Sequence, residues 1–336
     1  MRESVDLATF EDVVEAAGRL SSRALVTPVM KSERFDSRVG RRVVFKCENL
    51  QHIGAFKYRG AMNALLQLEA LARHDESSGR EVSRVVATHS SGNHGAALAR
   101  AARELGWRCI VVAPQDASVV KLQSIRAQGA ELVSCAPGLA AREAALATVI
   151  ETSRARVVHP FDDARVIAGQ GTAALELFAE EPMLDVITAP VGGGGLLSGT
   201  ALVARGVSPG TRVVGVEPAL ADDAARSFHG GARVGVQGSP PTIADGLRGS
   251  IGLRPYAIFR QCVDDVLTVS EAAIVAAMRV ALEDLRLLIE PSSAVPLAAI
   301  IEGRIGRAND RIGVIVSGGN VDLSVCPFLA GSAHSS

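Results

Sequence analysis

The sequence is poor in lysine. Of its 35 lysine and arginine residues only four are lysine, at positions 31, 46, 57 and 121. Because arginine stays protonated, it cannot act as an amine nucleophile, and that role is left to these four side chains. Lys57 stands between two aromatic residues in the stretch GAFKYRG, just after a glycine. It is therefore the first candidate for a nucleophile, with an ordinary surface charge as the alternative.

Cysteine is also sparse and scattered. The chain has five cysteines, and their spacing predicts neither a disulfide framework nor a zinc site. They are Cys47, Cys109, Cys135, Cys262 and Cys326. Unpaired thiols are typical of a reducing compartment, and the polar, acidic N-terminus does not resemble a signal peptide. We therefore expect a cytoplasmic protein.

Long hydrophobic runs and blocks of positive charge are missing as well. A membrane helix needs about 18 uninterrupted apolar residues, and no such stretch occurs. The formal net charge is −1, so binding to the phosphates of a nucleic acid is not expected. Hydrophobic residues nevertheless make up 48% of the 336 positions, enough for a large buried core. These features favour a globular protein that acts on a small molecule.

Short β-branched runs alternate with alanine- and leucine-rich segments along the chain. Predicted strands include residues 84–90, 185–192 and 311–319, and a helix is predicted over 59–73. Alternation of this kind predicts an α/β fold with parallel sheets and flanking helices. The polar stretch 73–84 is interpreted as a crossing between domains. Several strands end in small or polar residues, where open α/β sheets bind their ligands.

One of these strand ends carries four consecutive glycines, Gly192, Gly193, Gly194 and Gly195. Glycine lets a ligand approach the backbone, and the start of the following helix offers free N–H groups to a phosphate. No lysine follows as a Walker A loop requires, and the dinucleotide motif fits only loosely, although Glu217 lies near its acidic position. The pattern favours a mononucleotide-sized phosphate ligand, with a tight structural turn and a dinucleotide site as alternatives.

Six motifs in order carry a resemblance to a known family. They are GAFKYRGA, SSGNHGAALA, PVGGGGLLSG, VEP, IADGL and SGGN. Together they resemble the fold-type II pyridoxal-phosphate enzymes, in particular threonine/serine dehydratases and serine racemase. The resemblance implies a two-domain α/β fold like the β subunit of tryptophan synthase. It further implies a large cofactor-binding domain of residues 1–76 and 163–336, with a small inserted α/β domain of residues 77–162.

The same resemblance implies how pyridoxal 5'-phosphate is bound. Lys57 is then the Schiff-base lysine, Phe56 packs near the cofactor, and Asn93 donates a hydrogen bond to its phenolic oxygen. Ser317 lies at the pyridine nitrogen of the cofactor. A neutral hydroxyl at this nitrogen favours expulsion of a β-leaving group over transamination. The alternative role of Ser317 is that of a helix N-cap. The phosphate is held by the backbone N–H groups of Gly192, Gly193, Gly194, Gly195 and Leu196.

The motif SSGNHG opens a helix whose N–H groups can bind a substrate carboxylate. The candidate residues are Ser90, Ser91, Gly92, Asn93 and His94. Ser91 aligns with the serine that acts in the racemase as an acid/base on the face opposite the lysine. In a pure dehydratase the same serine only binds the carboxylate, and the sequence leaves both roles open. For His94 a structural role at the helix start is favoured over proton transfer.

The segment VEPALADD resembles the divalent-cation site of the family. Glu217 and Asp223 would supply carboxylates and Ala221 a backbone carbonyl, a set of hard oxygen ligands that suits Mg²⁺ or Ca²⁺. The role of this metal would be structural. The alternative is a solvated acidic loop without a metal.

The activity implied by the resemblance is that of a dehydratase, an ammonia-lyase that converts a β-hydroxy amino acid such as L-threonine or L-serine to a 2-oxo acid and ammonia. A serine racemase and a hydroxyaspartate-type dehydratase are the alternatives. Two positions depart from the usual dehydratase pattern: Ala55 replaces a serine, and Ser293 stands where many relatives have glycine. These departures bear on the substrate and not on the cofactor. A homodimer is also expected.

Overall fold

The structure, a computed structural model, describes residues 6–236, 238–323 and 326 and contains two mainly parallel β-sheets flanked by helices. The strands are β1 (Val29–Lys31), β2 (Arg42–Cys47), β3 (Val85–His89), β4 (Arg108–Pro114), β5 (Glu131–Cys135), β6 (Arg156–Val157), β7 (Val186–Pro190), β8 (Arg212–Pro218), β9 (Asp265–Val269) and β10 (Arg311–Val316). The helices are α1 (Phe10–Leu20), α2 (Glu33–Val39), α3 (Lys57–Ser77), α4 (Asn93–Leu105), α5 (Val119–Ala127), α6 (Leu139–Ser153), α7 (Ala164–Glu180), α8 (Gly195–Val207), α9 (Asp223–Gly230), α10 (Leu253–Cys262), α11 (Glu271–Val280) and α12 (Pro291–Ile301).

The larger sheet has the strand order β1-β2-β10-β7-β8-β9, and its neighbouring strands are parallel except for the antiparallel edge pair β1 and β2. Strand β10 lies inside this sheet, and its side chains alternate between two cores. Val314 and Val316 pack with α11 and α12 on one face, whereas Ile315 packs with α7 and α8 on the other. Burial on both faces explains why this strand is apolar at almost every position.

The smaller sheet has the order β5-β4-β3-β6, and all its strands are parallel. In β4, Cys109 and Val111 pack with helices α3 and α4, whereas Ile110 packs with α6 on the opposite face. The strands of this sheet span residues 85–157. They therefore fall inside the segment 77–162 that the sequence assigns to the small domain, whose boundaries stay a prediction.

The predicted α/β fold with parallel sheets and flanking helices is confirmed, and three strands named from the sequence correspond to β3, β7 and β10. The helix predicted over 59–73 is longer in the structure, because α3 continues to Ser77; the interpretation of residues 73–84 as a domain crossing stays a prediction. Arg73 forms an ion pair with Glu69 one turn earlier, which stabilises the polar end of this helix.

Parallel strands share a direction, so their carboxyl ends lie at one edge of each sheet. Strand β3 ends at His89, β7 at Pro190 and β10 at Val316. The residues that follow these three ends are those that the sequence predicts to bind a ligand. None of the helices in the described ranges is long and apolar enough to cross a membrane.

Candidate active site

Lys57 lies at the start of α3, beside the carboxyl end of β10. Ala55 forms an isolated antiparallel bridge with Gly318, and the Phe56 backbone N–H donates to the Ser317 carbonyl oxygen at 3.0 Å. These contacts hold the residues before Lys57 against the residues after β10. Lys57 and Ser317, which are far apart in the sequence, are therefore neighbours in the fold.

The Lys57 side chain is half-buried, and its amine donates a hydrogen bond to the Pro160 carbonyl oxygen at 2.8 Å. It lies 5.0 Å from the centre of the Phe56 ring. Desolvation lowers the pKa of Lys57 to about 8, although the nearby carboxylate of Glu290 acts in the opposite direction. A fraction of this amine is neutral at neutral pH, as a nucleophile or a proton acceptor requires.

The residues after β6 connect Lys57 to the glycine loop. Pro160 accepts the hydrogen bond from Lys57, and the ring of the next residue, Phe161, lies directly on Gly193. A Cβ atom added to Gly193 would be 2.2 Å from atoms of this ring. The Phe161 ring also contacts the His159 ring in an edge-to-face arrangement, with ring centres 4.6 Å apart. The candidate nucleophile and the candidate phosphate loop therefore border the same space.

The glycine loop has no room for side chains at other positions either. A Cβ on Gly192 would lie 2.8 Å from the Cα of Leu247, and Gly194 has φ +87°, in the left-handed region that favours glycine. Helix α8 begins at Gly195, and the N–H groups of its first turn have no partner inside the helix. Bare backbone at a helix start fits the phosphate of pyridoxal 5'-phosphate.

Helix α4 begins at Asn93, after a turn that Ser90 shapes. The Ser90 hydroxyl accepts hydrogen bonds from the N–H groups of Gly92 at 3.3 Å and Gly95 at 3.1 Å. Ser90 is therefore occupied in holding the turn. In the described part of the chain the Ser91 hydroxyl has no hydrogen-bond partner, so it is available to a ligand. The helix start itself can bind a carboxylate through its N–H groups.

His94 is a buried, neutral side chain at the start of α4. Its Nε2 donates to the Val158 carbonyl oxygen at 3.1 Å, since a carbonyl oxygen can only accept. Its Nδ1 is buried and has no partner among the residues that the structure describes. Burial, and then the positive charge of Lys57, lowers the pKa of His94 well below its ordinary value. His94 can therefore accept a hydrogen bond but carries no charge at neutral pH.

Asn93 is held on both sides of its amide. Its Nδ2 donates to the two carboxylate oxygens of Glu290 at 3.0 and 3.1 Å, and its Oδ1 accepts from Asn320 Nδ2 at 2.9 Å. Glu290 is only 4% exposed, and burial raises its pKa to about 7. A buried carboxyl thus lies beside the residue that the sequence predicts to bind the phenolic oxygen.

The Ser317 hydroxyl, at the end of β10, lies 2.8 Å from the Ser293 hydroxyl. The Ser293 hydroxyl also donates to the Gly318 carbonyl oxygen at 2.8 Å and accepts from the Gly318 N–H at 2.6 Å. Either hydroxyl can be the donor between the two serines. When Ser293, which accepts from the Gly318 N–H, turns its single proton to Ser317, the Ser317 proton is free for another acceptor. Ser293 therefore orients the hydroxyl of Ser317, and the departure from glycine at this position has a structural consequence.

A cavity of about 180 Å³ opens beside Asn93, and Gly92, Lys121 and Asn320 contribute to its lining. Lys121 belongs to α5, next to the smaller sheet, and forms a close ion pair with Asp245, which lies between β8 and β9 of the larger sheet. The cavity therefore lies where the parts of the chain that carry the two sheets meet. Its size suits a small molecule.

The two carboxylates of the predicted metal site are both fully buried, Glu217 at the end of β8 and Asp223 at the start of α9. Glu217 accepts hydrogen bonds from the N–H groups of Ala224 at 3.3 Å and Ala225 at 2.8 Å. Asp223 Oδ2 accepts one from the Ile251 N–H at 2.8 Å, while its Oδ1 is buried without a partner in the described ranges. Each carboxylate is thus held in place by backbone donors.

The electrostatics of these carboxylates fit a cation. Burial, and then the charge of Asp223, raises the pKa of Glu217 well above its ordinary value, and burial raises the pKa of Asp223 to about 6. The described residues contain no group of three or more His, Cys, Asp or Glu side chains that could hold a metal. The predicted ligand set has only two carboxylates, with the carbonyl of the buried Ala221, and it stays a prediction.

The site defines a class of protein, the enzymes that bind a phosphate-bearing aldehyde cofactor through a lysine. Its features are two sheets of mainly parallel strands, a half-buried lysine with a lowered pKa, and a bare glycine loop at a helix start. The family model described as pyridoxal-phosphate dependent enzyme matches residues 20–318. The chain belongs to this family, as the sequence motifs predicted. Pyridoxal phosphate is accordingly its cofactor.

The relatives of the chain show which branch of this family it belongs to. Serine racemase of Dictyostelium discoideum is 42% identical over 325 residues, which are 96% of this chain and 98% of that protein. The beta-hydroxyaspartate dehydratase of Paracoccus denitrificans is 41% identical over 322 residues, 96% of this chain and 99% of that protein. The structure of maize serine racemase superimposes with a TM-score of 0.89 at 39% identity, covering 95% of this chain and 96% of that one. The chain is a member of the racemase and ammonia-lyase branch.

Sequence reasoning missed three residues of this site, Pro160, Phe161 and Glu290. Pro160 acts through its carbonyl oxygen and Phe161 through its packing on a glycine, so no local pattern marks either of them. Glu290 left a usable signal: it is a lone acid in the apolar stretch LLIEPSSAVPL. A charged residue in a segment that otherwise predicts burial is rare outside a paired or functional setting.

Proposed function

We propose that the chain is a pyridoxal-phosphate dependent dehydratase, which converts a β-hydroxy amino acid such as L-threonine or L-serine to a 2-oxo acid and ammonia. The observation that carries this proposal is the Lys57 amine. It has a pKa lowered to about 8 and donates to Pro160, whose neighbour Phe161 lies on the glycine loop. Such an amine can attach a cofactor aldehyde and, once released, accept the α-proton of the substrate.

The other predicted residues hold cofactor and substrate around Lys57 in this proposal. Asn93 donates to the phenolic oxygen, Phe56 packs beside the ring, and the Ser317 hydroxyl donates to the pyridine nitrogen. The N–H groups of the glycine loop and of Leu196 hold the phosphate. The substrate carboxylate is held at the start of α4 by Ser91, Asn93 and His94. Ser90 and Gly92 support this turn, because the Gly92 N–H donates to the Ser90 hydroxyl.

When bound, the cofactor withdraws electrons from the substrate Cα and makes its proton acidic. The residues at the end of β10 then decide which reaction follows. Ser317 and Ser293 offer hydroxyls and no carboxylate at this point, which favours loss of a β-hydroxyl over transamination. Phe161 covers the glycine loop and shields this part of the site from water.

A serine racemase is the second candidate, and Ser91 favours it. A racemase needs an acid/base on the face opposite the lysine, and the Ser91 hydroxyl forms no hydrogen bond to any described residue. The relative from D. discoideum is itself named serine racemase. A hydroxyaspartate-type dehydratase is a third candidate, because the P. denitrificans relative is named for that activity.

An assay of the purified holoenzyme separates these activities. We expect release of 2-oxo acid from L-serine, L-threonine or a hydroxyaspartate, measured together with the enantiomer ratio of the remaining amino acid. A dehydratase releases oxo acid and leaves that ratio unchanged. Interconversion of L- and D-serine without oxo acid would overturn the proposal in favour of the racemase.

The Ser91→Ala variant refines the same assay. If Ser91 is a second acid/base, its removal lowers enantiomer interconversion by about 10²-fold or more, while elimination continues. If Ser91 only binds the carboxylate, the variant changes KM and leaves the ratio of the two activities unaltered. The two roles thus give different outcomes from one variant.

We also propose that Glu217, Asp223 and the Ala221 carbonyl bind Mg²⁺ or Ca²⁺. Two observations support this proposal. Asp223 Oδ1 is buried and has no hydrogen-bond partner among the described residues. The charges of the buried Glu217 and Asp223 raise the free energy of the fold unless a cation or protons balance them. The site lies at the end of β8 and the start of α9, so the metal would fix this connection.

Removal of the metal by a chelator is therefore expected to lower the melting temperature by a few degrees, and excess Mg²⁺ or Ca²⁺ should restore it.

The stability of the metal-free protein should also depend on pH in a definite direction. A carboxyl that titrates at about 3.9 when unfolded and at about 6 when folded makes the metal-free protein less stable as the pH rises through this window. The cation should remove that loss. A Glu217→Gln variant is the control, because its melting should no longer respond to the chelator; an unchanged wild-type melting temperature would count against the site.

Two further features belong to the proposal, a cytoplasmic location and a homodimer. Exposed apolar side chains support the dimer: Leu25, Val26 and Leu50 are 44%, 75% and 48% exposed. The two segments that carry them are joined by a hydrogen bond from the Leu25 N–H to the side chain of Gln51, the residue after Leu50, at 3.0 Å. These residues form an apolar surface of the kind that subunit contacts bury.

A further inference from the structure

Glu290 is a buried acid for which the proposed reaction has no role. It precedes α12, its side chain reaches Asn93, and no lysine or arginine forms an ion pair with it within the described ranges. A buried carboxyl without an ion pair raises the free energy of the fold unless hydrogen bonds compensate. Burial accordingly raises the pKa of Glu290 to about 7. Of the nearby charges, Asp245 also raises this pKa, whereas Lys121 and Lys57 lower it.

The contacts of Glu290 fix which way the Asn93 amide faces. Asn320 Nδ2 donates to the Ile53 carbonyl oxygen at 2.7 Å and to Asn93 Oδ1 at 2.9 Å. Oδ1 of Asn93 is therefore occupied as an acceptor. Nδ2 of Asn93 must then face Glu290, whose two oxygens accept from it at 3.0 and 3.1 Å. An amide held at both ends cannot flip without losing hydrogen bonds on each side.

Glu290 is also tied to the strand end that carries Ser317. Its backbone N–H donates to the Gly318 carbonyl oxygen at 3.0 Å, and its carbonyl oxygen accepts from the Ser293 N–H at 2.9 Å. A Cβ on Gly318 would lie 2.6 Å from the Glu290 carboxylate. Glu290 thus connects Asn93 to Ser293 and to the strand end that carries Ser317.

We propose that Glu290 is a positioning residue, whose carboxylate holds the Asn93 amide with Nδ2 toward the cofactor ring. One Nδ2 hydrogen then goes to Glu290 and the other is free for the phenolic oxygen. This inference rests on the proposed function, since it assigns a partner to Asn93 in the cofactor site. The same carboxylate excludes a side chain at Gly318 and so keeps the end of β10 close to Asn93.

The test measures cofactor affinity, which does not depend on turnover. Cofactor-free protein is titrated with pyridoxal 5'-phosphate, and the bound fraction is followed by absorbance. We expect Glu290→Ala to weaken binding by roughly tenfold or more, the contribution of one hydrogen bond to a charged group. Glu271→Ala is the matched control, since Glu271 accepts a hydrogen bond from the Ile243 N–H at 2.7 Å elsewhere in the larger-sheet part of the chain.

A double-variant cycle with Asn93→Ala shows whether Glu290 acts through Asn93. If it does, the double variant binds the cofactor no more weakly than Asn93→Ala alone. Affinity of Glu290→Ala within twofold of wild type, or losses that add fully in the double variant, would overturn the inference. If Glu290→Ala does not fold, the isosteric Glu290→Gln is used in the same cycle, with the same criteria. Failure of the wild-type protein to bind the cofactor would instead overturn the proposed function.

Discussion

Replacing Lys57 with alanine is expected to lower the release of 2-oxo acid by about 10³-fold or more. The physical reason is that no other lysine can take its place: the three remaining lysines lie elsewhere, in ion pairs with Glu181, Glu176 and Asp245. The variant loses both the attachment point for the cofactor and the base that accepts the α-proton. Oxo-acid release is measured at saturating cofactor, so that weak binding alone does not explain the loss.

A direct chemical readout accompanies this measurement. Borohydride reduction of the wild-type protein incubated with pyridoxal 5'-phosphate, followed by peptide mapping, should place the cofactor on Lys57. In the cofactor-free protein, labelling of Lys57 by an amine reagent should rise with a midpoint near pH 8, because desolvation lowers its pKa to about 8. Lys31→Ala serves as the control, since Lys31 is an exposed side chain paired with Glu181. An unmodified Lys57 would refute the assignment.

Much of this site could be predicted because its parts are local in the sequence. A phosphate loop needs bare backbone before a helix. Four consecutive glycines followed by an apolar helical segment show this pattern within a few sequence positions. The parallel-strand topology then places separate strand ends at one edge. Lys57 stood out for a different reason, because lysine is rare in this chain.

The parts that could not be predicted depend on contacts between distant segments. The Asn93 amide is fixed by Glu290 and Asn320, which follow it by about two-thirds of the chain. Ser293 was noted as a departure from the family pattern, but its hydrogen bond to Ser317 required the structure. The register of β10 against β2 and β7 sets these distances, and no spacing in the sequence encodes it.

Replacing Gly193 with alanine is expected to lower the free energy of unfolding by about 1–3 kcal/mol and to weaken cofactor binding by roughly tenfold or more. The added methyl group would lie 2.2 Å from the Phe161 ring, and that ring also packs edge-to-face with His159. The ring must therefore leave, or the loop must move away from it. In either case the N–H groups of the loop lose the positions that hold the phosphate. Thermal melting and cofactor titration measure the two effects.

The contact with Phe161 makes this prediction specific. In a Gly193→Ala, Phe161→Ala double variant the new methyl group occupies space that the ring has left, so the double variant should be no less stable than Phe161→Ala alone. Gly210→Ala is the matched control, because a Cβ there meets nothing within 4 Å. Additive losses in the double variant would show that Gly193 tolerates no side chain for a reason other than the ring. Unchanged melting and affinity in the single variant would show that Phe161 does not cover the loop, and the shielding that we assign to it would have to come from another part of the chain.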